Sequence, residues 1–149
     1  MPAYKTPISV LVVIHTPDLQ ILLIERAAHP GFWQSVTGSL EGNETLIETA
    51  RREVEEETGI SAEACQFLDW QTNHTFEIFP QWRQRYAPGV THNVEHVFSL
   101  CVPEPCAVNL APEEHIAYQW LPAETAAERC FSWSNRDAIR ALIERQKHA

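Results

Sequence analysis

The chain has 149 residues, 44% of them hydrophobic, and its 11 Lys and Arg against 20 Asp and Glu give a formal net charge of −9. That length suits one domain with a real core, and the charge argues against a general nucleic-acid binder, which would carry a basic patch. Four cysteines, Cys65, Cys101, Cys106 and Cys130, show neither CxxC pairing nor zinc-like spacing with histidine, so they read as buried or inert thiols of a cytoplasmic protein.

The first apolar run, Ile8 to Ile14, is rich in β-branched residues and reads as a buried strand. It lacks a signal-peptide cleavage site and is far too short to span a membrane. His15-Thr16-Pro17-Asp18 is turn-like, and Ile21–Glu25 is a second strand.

Next comes the most informative stretch, Gly38 to Ile60. Thr45 and Glu48 have capping-box spacing, so a helix is expected from Thr45, with Gly59 as its stop. Ile47, Ala50 and Val54 follow helical spacing and form the buried stripe. Glu53 and Glu57 are four residues apart, and Glu53 and Glu56 three, so the three carboxylates crowd one side. Like charges this close repel unless something positive sits among them. Mg²⁺ takes carboxylate oxygens and shares them with substrate phosphates. Arg52, four residues before Glu56, can pair with a carboxylate and orient it. Glu48 and Glu55 read as solvated.

Further strands are expected at Phe67–Gln71, Thr75–Phe79, Val94–Val102 and Ala117–Leu121. Pro80 to Asn93, with Arg83, Arg85, Pro88 and Gly89, reads as a long functional loop. Ser134 with Asp137 gives a second capping box, opening a helix to about Gln146. No repeat, low-complexity segment or linker divides residues 1–149, so a single mixed α/β layer domain is expected.

Gly38, Glu44, Arg52-Glu53, Glu56-Glu57 and Gly59, with Val54 and Ile60 at the apolar positions, fill every fixed place of a pattern. By that pattern the chain resembles the Nudix hydrolases. The resemblance implies a mixed β-sheet sandwiched between α-helices, with the box as loop–helix–loop. It also implies cleavage of a diphosphate linked to another group, using water and Mg²⁺ or Mn²⁺. Glu53, Glu56 and Glu57 then match metal ligands, Arg52 orients them, and the Gly38 carbonyl approaches the metal, which a residue lacking Cβ permits.

Segments outside the box are distinctive: Tyr4-Lys5, Ile24-Glu25-Arg26, Phe32-Trp33-Gln34-Ser35-Val36-Thr37-Gly38-Ser39, Phe76-Glu77-Ile78-Phe79, Arg85 to Thr91, Glu114 to Leu121 and Ser132-Trp133-Ser134-Asn135-Arg136. They resemble the bacterial dihydroneopterin triphosphate diphosphatases of folate biosynthesis, also described as dATP pyrophosphohydrolases. Carried over residue by residue, Lys5 and Arg26 match substrate contacts suited to phosphate oxygens. Thr37 and Ser132 match further contacts. Phe76, Glu77, Ile78 and Phe79 match a substrate strand that can stack on a bicyclic ring, with Glu77 accepting from ring N–H groups. Glu114 matches either a metal ligand from a distant loop or the group that polarises water, and His115 reads as structural. The ADP-ribose signature proline is absent, with Thr75 in its place, and Glu77 stands where diadenosine-polyphosphate hydrolases have tyrosine. Dihydroneopterin triphosphate is therefore the expected substrate. The alternatives are dATP or an oxidised dNTP, and a nucleotide sensor without chemistry. The expected partner is a small triphosphate, with no nucleic-acid polymer and no membrane. Nothing marks a dimer interface, so a monomer is expected.

Overall fold

The run from Ile8 forms the centre of the sheet because both of its faces are covered. In the computed structural model, which describes residues 4–61 and 66–147, it is strand β1 (Ile8–His15). β2 (Gln20–Arg26), β3 (Trp33–Gln34) and β4 (Val36–Ser39) follow, then helix α1 (Leu46–Thr58) and β5 (Gln66–Glu77). A 3-10 helix (Pro80–Arg85), β6 (His92–Cys101), β7 (His115–Pro122), α2 (Ala123–Arg129) and α3 (Trp133–Lys147) complete the order. Cys65 lies outside the described residues. No described helix is long and apolar enough to cross a membrane.

β1 and β6 pair in parallel along their length, Ile8 with Val94 through His15 with Cys101, and β5 extends the sheet antiparallel to β6. On its other side β1 meets β2 only where His15 faces Ile21. Toward its start it pairs instead with β4, Ser9 facing Ser39 and Val10 facing Gly38. β2 pairs with β3 and β7. This divergence of β1 and β2 brings the start of the box to one end of the sheet.

Side chains alternate across a strand, so β1 feeds two cores. Val10, Val12 and Ile14 pack with Ala50 and Val54 of α1 on one face. Leu11 and Val13 pack with Ala126 and Ala127 of α2, and Ala138, Ile139 and Leu142 of α3, on the other. The sheet is thus sandwiched between helices, and burying each such aliphatic side chain contributes about 1.5–3 kcal/mol.

α1 starts and stops where the sequence places it. Thr45 Nα donates to Glu48 Oε1 at 2.8 Å and Glu48 Nα to Thr45 Oγ1 at 3.3 Å. Gly59 adopts φ 74° and its N–H donates to Glu55 O at 2.9 Å, which a β-carbon would strain.

Elsewhere the structure differs from expectation. The two strands expected between Phe67 and Phe79 are one, β5, with a register shift between Asp69 and Asn73, and Ile78 and Phe79 fall beyond its end. The expected loop from Pro80 opens as a 3-10 helix and gives up His92 and Asn93 to β6. α3 begins at Trp133, so Ser134 lies inside it. Ser132 does the capping, its Oγ accepting from Asn135 Nα at 3.2 Å. β3 and β4 are too short to give a periodic signal, and α2 is an alanine-rich helix of seven residues that escaped the pattern.

Candidate active site

Arg52 organises the box. Its Nε donates to Glu44 Oε2 at 2.7 Å, Nη2 to Glu44 Oε1 at 3.0 Å and to Ser39 O at 3.1 Å. Its Nη1 donates to Glu53 Oε1 at 2.6 Å and Glu56 Oε2 at 3.3 Å. One guanidinium thus ties the loop before α1 to two carboxylates on the helix, a geometry its planar fork suits. Its hydrogen bonds hold the Glu44 carboxyl at a pKa of about 2.

Glu53 and Glu57 lie on the inner side of α1, 9% and 4% exposed, while Glu56 faces solvent. Burial, with only partial relief from Arg52, raises the Glu53 pKa. Burial first, then the charges of Glu53 and Glu114, raises that of Glu57 well above the usual carboxylate range. Glu57 Oε2 is buried with no hydrogen-bond partner among the described residues. Oxygens of Glu57 and Glu114 and a ring nitrogen of His115 lie within 4.8 Å of one another. A buried, unpartnered carboxylate oxygen beside two further carboxylates is the donor chemistry of a hard divalent cation, so these residues fit one.

Gly38 packs directly against this cluster. A β-carbon there would collide with the Glu53 carboxyl group. The glycine is needed for the side chain of Glu53, a reason independent of any metal approach by its carbonyl. Gly38→Ala is expected to push Glu53 aside and lower kcat by about a hundredfold, since small misplacements cost that much. Steady-state kinetics with a thermal melt checks this; an unchanged kcat would show that Glu53 has room to move.

These groups open on a cleft of about 1070 Å³. Every candidate ligand and substrate contact singled out from the sequence lines it: Lys5, Arg26, Thr37, Gly38, Arg52, Glu53, Glu56, Glu57, Phe76, Glu77, Ile78, Phe79, Glu114 and Ser132. Three cations converge there. Lys5 Nα donates to Arg85 O at 2.8 Å, joining the start of the chain to the 3-10 helix. Partial burial, then Arg85 and Arg26, lowers the Lys5 pKa, and burial followed by Arg85 lowers that of Arg26. Cations held this close attract an anion. Arg26 Nη1 donates to Gln34 Oε1 at 3.2 Å and its guanidinium lies 4.8 Å from the Trp82 ring centre. Gln34 Nε2 in turn donates to Thr37 Oγ1 at 3.3 Å and lies 3.4 Å from His115 Nε2. His115 is buried, which pushes its pKa down to about 4, so its ring is neutral and able to bind metal at physiological pH.

Two expected contacts are differently engaged. Glu77 is exposed and ion-paired with Arg83 at 2.9 Å. The Ser132 hydroxyl oxygen also accepts at the helix cap. Sequence reasoning passed over other residues of the cleft, among them Trp82 and Phe131, which join the expected Phe79. Phe79, Trp82 and Phe131 form an aromatic cluster with ring centres 5.0–6.4 Å apart. Trp133, Asn93 and Glu95 also line the cleft. The signal for Glu95 was available: an acid on the alternation that makes Val97 core.

A family model described as the NUDIX domain matches residues 5–142. The chain is 47% identical over 143 residues to the dihydroneopterin triphosphate diphosphatase of Escherichia coli K12, covering 94% of each. It is 42% identical to the protein of that name from Haemophilus influenzae Rd, covering 96% of this chain and 91% of the other. Among solved structures, that of the E. coli dihydroneopterin triphosphate pyrophosphohydrolase superposes with a TM-score of 0.89 at 46% identity, covering 96% of this chain and 99% of the other.

Proposed function

The chain belongs to the Nudix hydrolase family, and from that premise we propose that it hydrolyses dihydroneopterin triphosphate to dihydroneopterin monophosphate and pyrophosphate, with Mg²⁺ bound at Glu53, Glu57 and Glu114. The observation that carries the reading is one cleft whose acidic end adjoins three cations and whose other end is aromatic. The near full-length similarity to two diphosphatases of that name gives the substrate.

Lys5, Arg26 and Arg85 bind phosphate oxygens, fixing the chain of phosphates along the cleft. Arg52 holds Glu53 and Glu56 in place. Glu57 and Glu114 face the same point and hold or polarise what lies between them. Mg²⁺, when bound, offsets charge on phosphate oxygens and lowers the pKa of water. The α–β phosphoanhydride is broken, one oxygen coming from water, and pyrophosphate leaves. The aromatic end takes the pterin ring.

The test is kcat/KM for dihydroneopterin triphosphate, dATP and 8-oxo-dGTP with Mg²⁺, with products identified. A preference for the pterin with release of pyrophosphate is expected. A preference for either nucleotide would overturn the substrate while leaving the hydrolase chemistry in place.

A further inference from the structure

The floor of the cleft holds two oxygens that the reaction does not use. Asn93 and Glu95 sit two residues apart on β6, so their side chains share a face, and they are only 3% and 5% exposed. That face also carries Val97 and is covered by α3, whereas the carboxylates of the box belong to α1 on the opposite face. The pair therefore stands apart from the metal-binding end.

Several surrounding polar groups pair with one another, and two reach only part of this pair. Ser35 Nα donates to Asn135 Oδ1 at 2.7 Å, and Asn135 Nδ2 to Ser35 Oγ at 3.0 Å. Asn93 Nδ2 donates to Ser9 Oγ at 2.7 Å, and Ser134 hydrogen-bonds to Glu95. Asn93 Oδ1 and Glu95 Oε1 remain, buried and without a hydrogen-bond partner among the described residues. Buried acceptors are nearly always paired, so two on one face of β6 in a cleft wall await donors from a ligand. Phe79 and Trp133, the latter 45% exposed, offer ring faces at the same cleft.

We propose that Glu95 and Asn93 set the heterocycle specificity of the enzyme: their free oxygens accept the neighbouring amino and ring N–H groups of a 2-amino-4-oxopyrimidine edge. Dihydropterins and guanine present that edge. Adenine puts a ring nitrogen acceptor beside its amino group, which would face an oxygen. The inference deepens the proposed function and rests on its placing of the ring at the aromatic end. It also moves ring recognition from Glu77, which Arg83 engages, to β6.

The experiment compares the unmodified enzyme with Glu95→Gln on dihydroneopterin triphosphate, dGTP and dATP, after a thermal melt shows the variant folded. Gln keeps the size of Glu but places an amide N–H₂ where one acceptor stood. Glu95→Gln is expected to lower kcat/KM for the pterin and dGTP by about ten- to a hundredfold, mostly through KM, with dATP far less affected. Equal losses on all three substrates would overturn the proposal. If the variant does not fold, the unmodified enzyme still decides: dITP, which lacks only the 2-amino group of dGTP, is expected to be at least about tenfold poorer. Equal kcat/KM for dGTP and dITP would overturn it. Should dATP exceed the pterin on the unmodified enzyme, the substrate reading falls, while the dGTP–dITP comparison continues to test Glu95 and Asn93 on their own.

Discussion

Glu57→Gln lowers kcat by at least about a hundredfold while the protein stays folded. The carboxylate is buried, one oxygen has no partner among the described residues, and Glu53 and Glu114 stand beside it. That arrangement is unfavourable for an isolated carboxylate and favourable once a divalent cation is shared among the three. An amide of the same shape keeps the packing and loses the charge. Losing one group that stabilises developing charge costs about two to three orders of magnitude. The same environment predicts the effect on stability. Because the Glu57 pKa is raised in the fold, the metal-free protein loses stability as pH rises from the unfolded value through the folded one. Metal-free Glu57→Gln is therefore at least as stable as the parent, most clearly at alkaline pH. Adding Mg²⁺ raises the melting temperature of the parent by mass action and that of the variant much less. Kinetics and melts with and without Mg²⁺ check all three statements. Near-normal turnover in the folded variant removes Glu57 from the reaction.

How much of this could be read in the sequence depends on how local the cause is. α1 was legible because its caps, its buried stripe and its carboxylate spacing all lie within Gly38 to Gly59. β1 was legible because a strand covered on both faces is apolar throughout. The gathering of Lys5, Arg26 and Glu114 with the box came from resemblance, since no local pattern joins residues so far apart. What escaped was set by tertiary contact. Arg52 has the spacing to reach Glu56, yet its shortest bonds go to Glu53 and to Glu44, eight residues away across the loop. For Gly38 the resemblance implied a metal approach by its carbonyl, and only the packed Glu53 shows why a β-carbon cannot stand there. Glu77 offered acid in an aromatic strand, but Arg83 of the following 3-10 helix engages it. Ser134 had cap spacing with Asp137, yet the cap lies two residues earlier at Ser132 and the helix begins at Trp133. Glu95 lay on the alternation that makes Val97 core, but its burial in the lining of the cleft is what marks it out.

Arg52→Ala is expected to damage activity and stability together, and this separates it from Glu57→Gln. The guanidinium is the common partner of Glu44, Glu53 and Glu56 and also satisfies the Ser39 carbonyl. Its removal leaves Glu53, already mostly buried, with its charge uncompensated, and frees the loop that carries Gly38. Breaking such a pair costs about 3 kcal/mol, the low end of the range because Arg52 keeps some contact with water. Loss of the Glu53 position lowers kcat by about a hundredfold. Arg52→Lys recovers little of either, because an ammonium lacks the fork that grips Glu44 through two nitrogens and reaches Glu53 with a third. The pH dependence gives an independent check. Arg52 holds the Glu44 pKa at about 2, below its unfolded value, so this contribution is complete above the unfolded pKa and disappears as pH falls toward 2. The stability gap between the parent and Arg52→Ala, measured by urea unfolding, is therefore widest near neutral pH and narrows between about pH 4.5 and pH 2. A gap independent of pH would mean that Arg52 stabilises the loop through the Ser39 carbonyl and packing, with its carboxylate pairs contributing nothing.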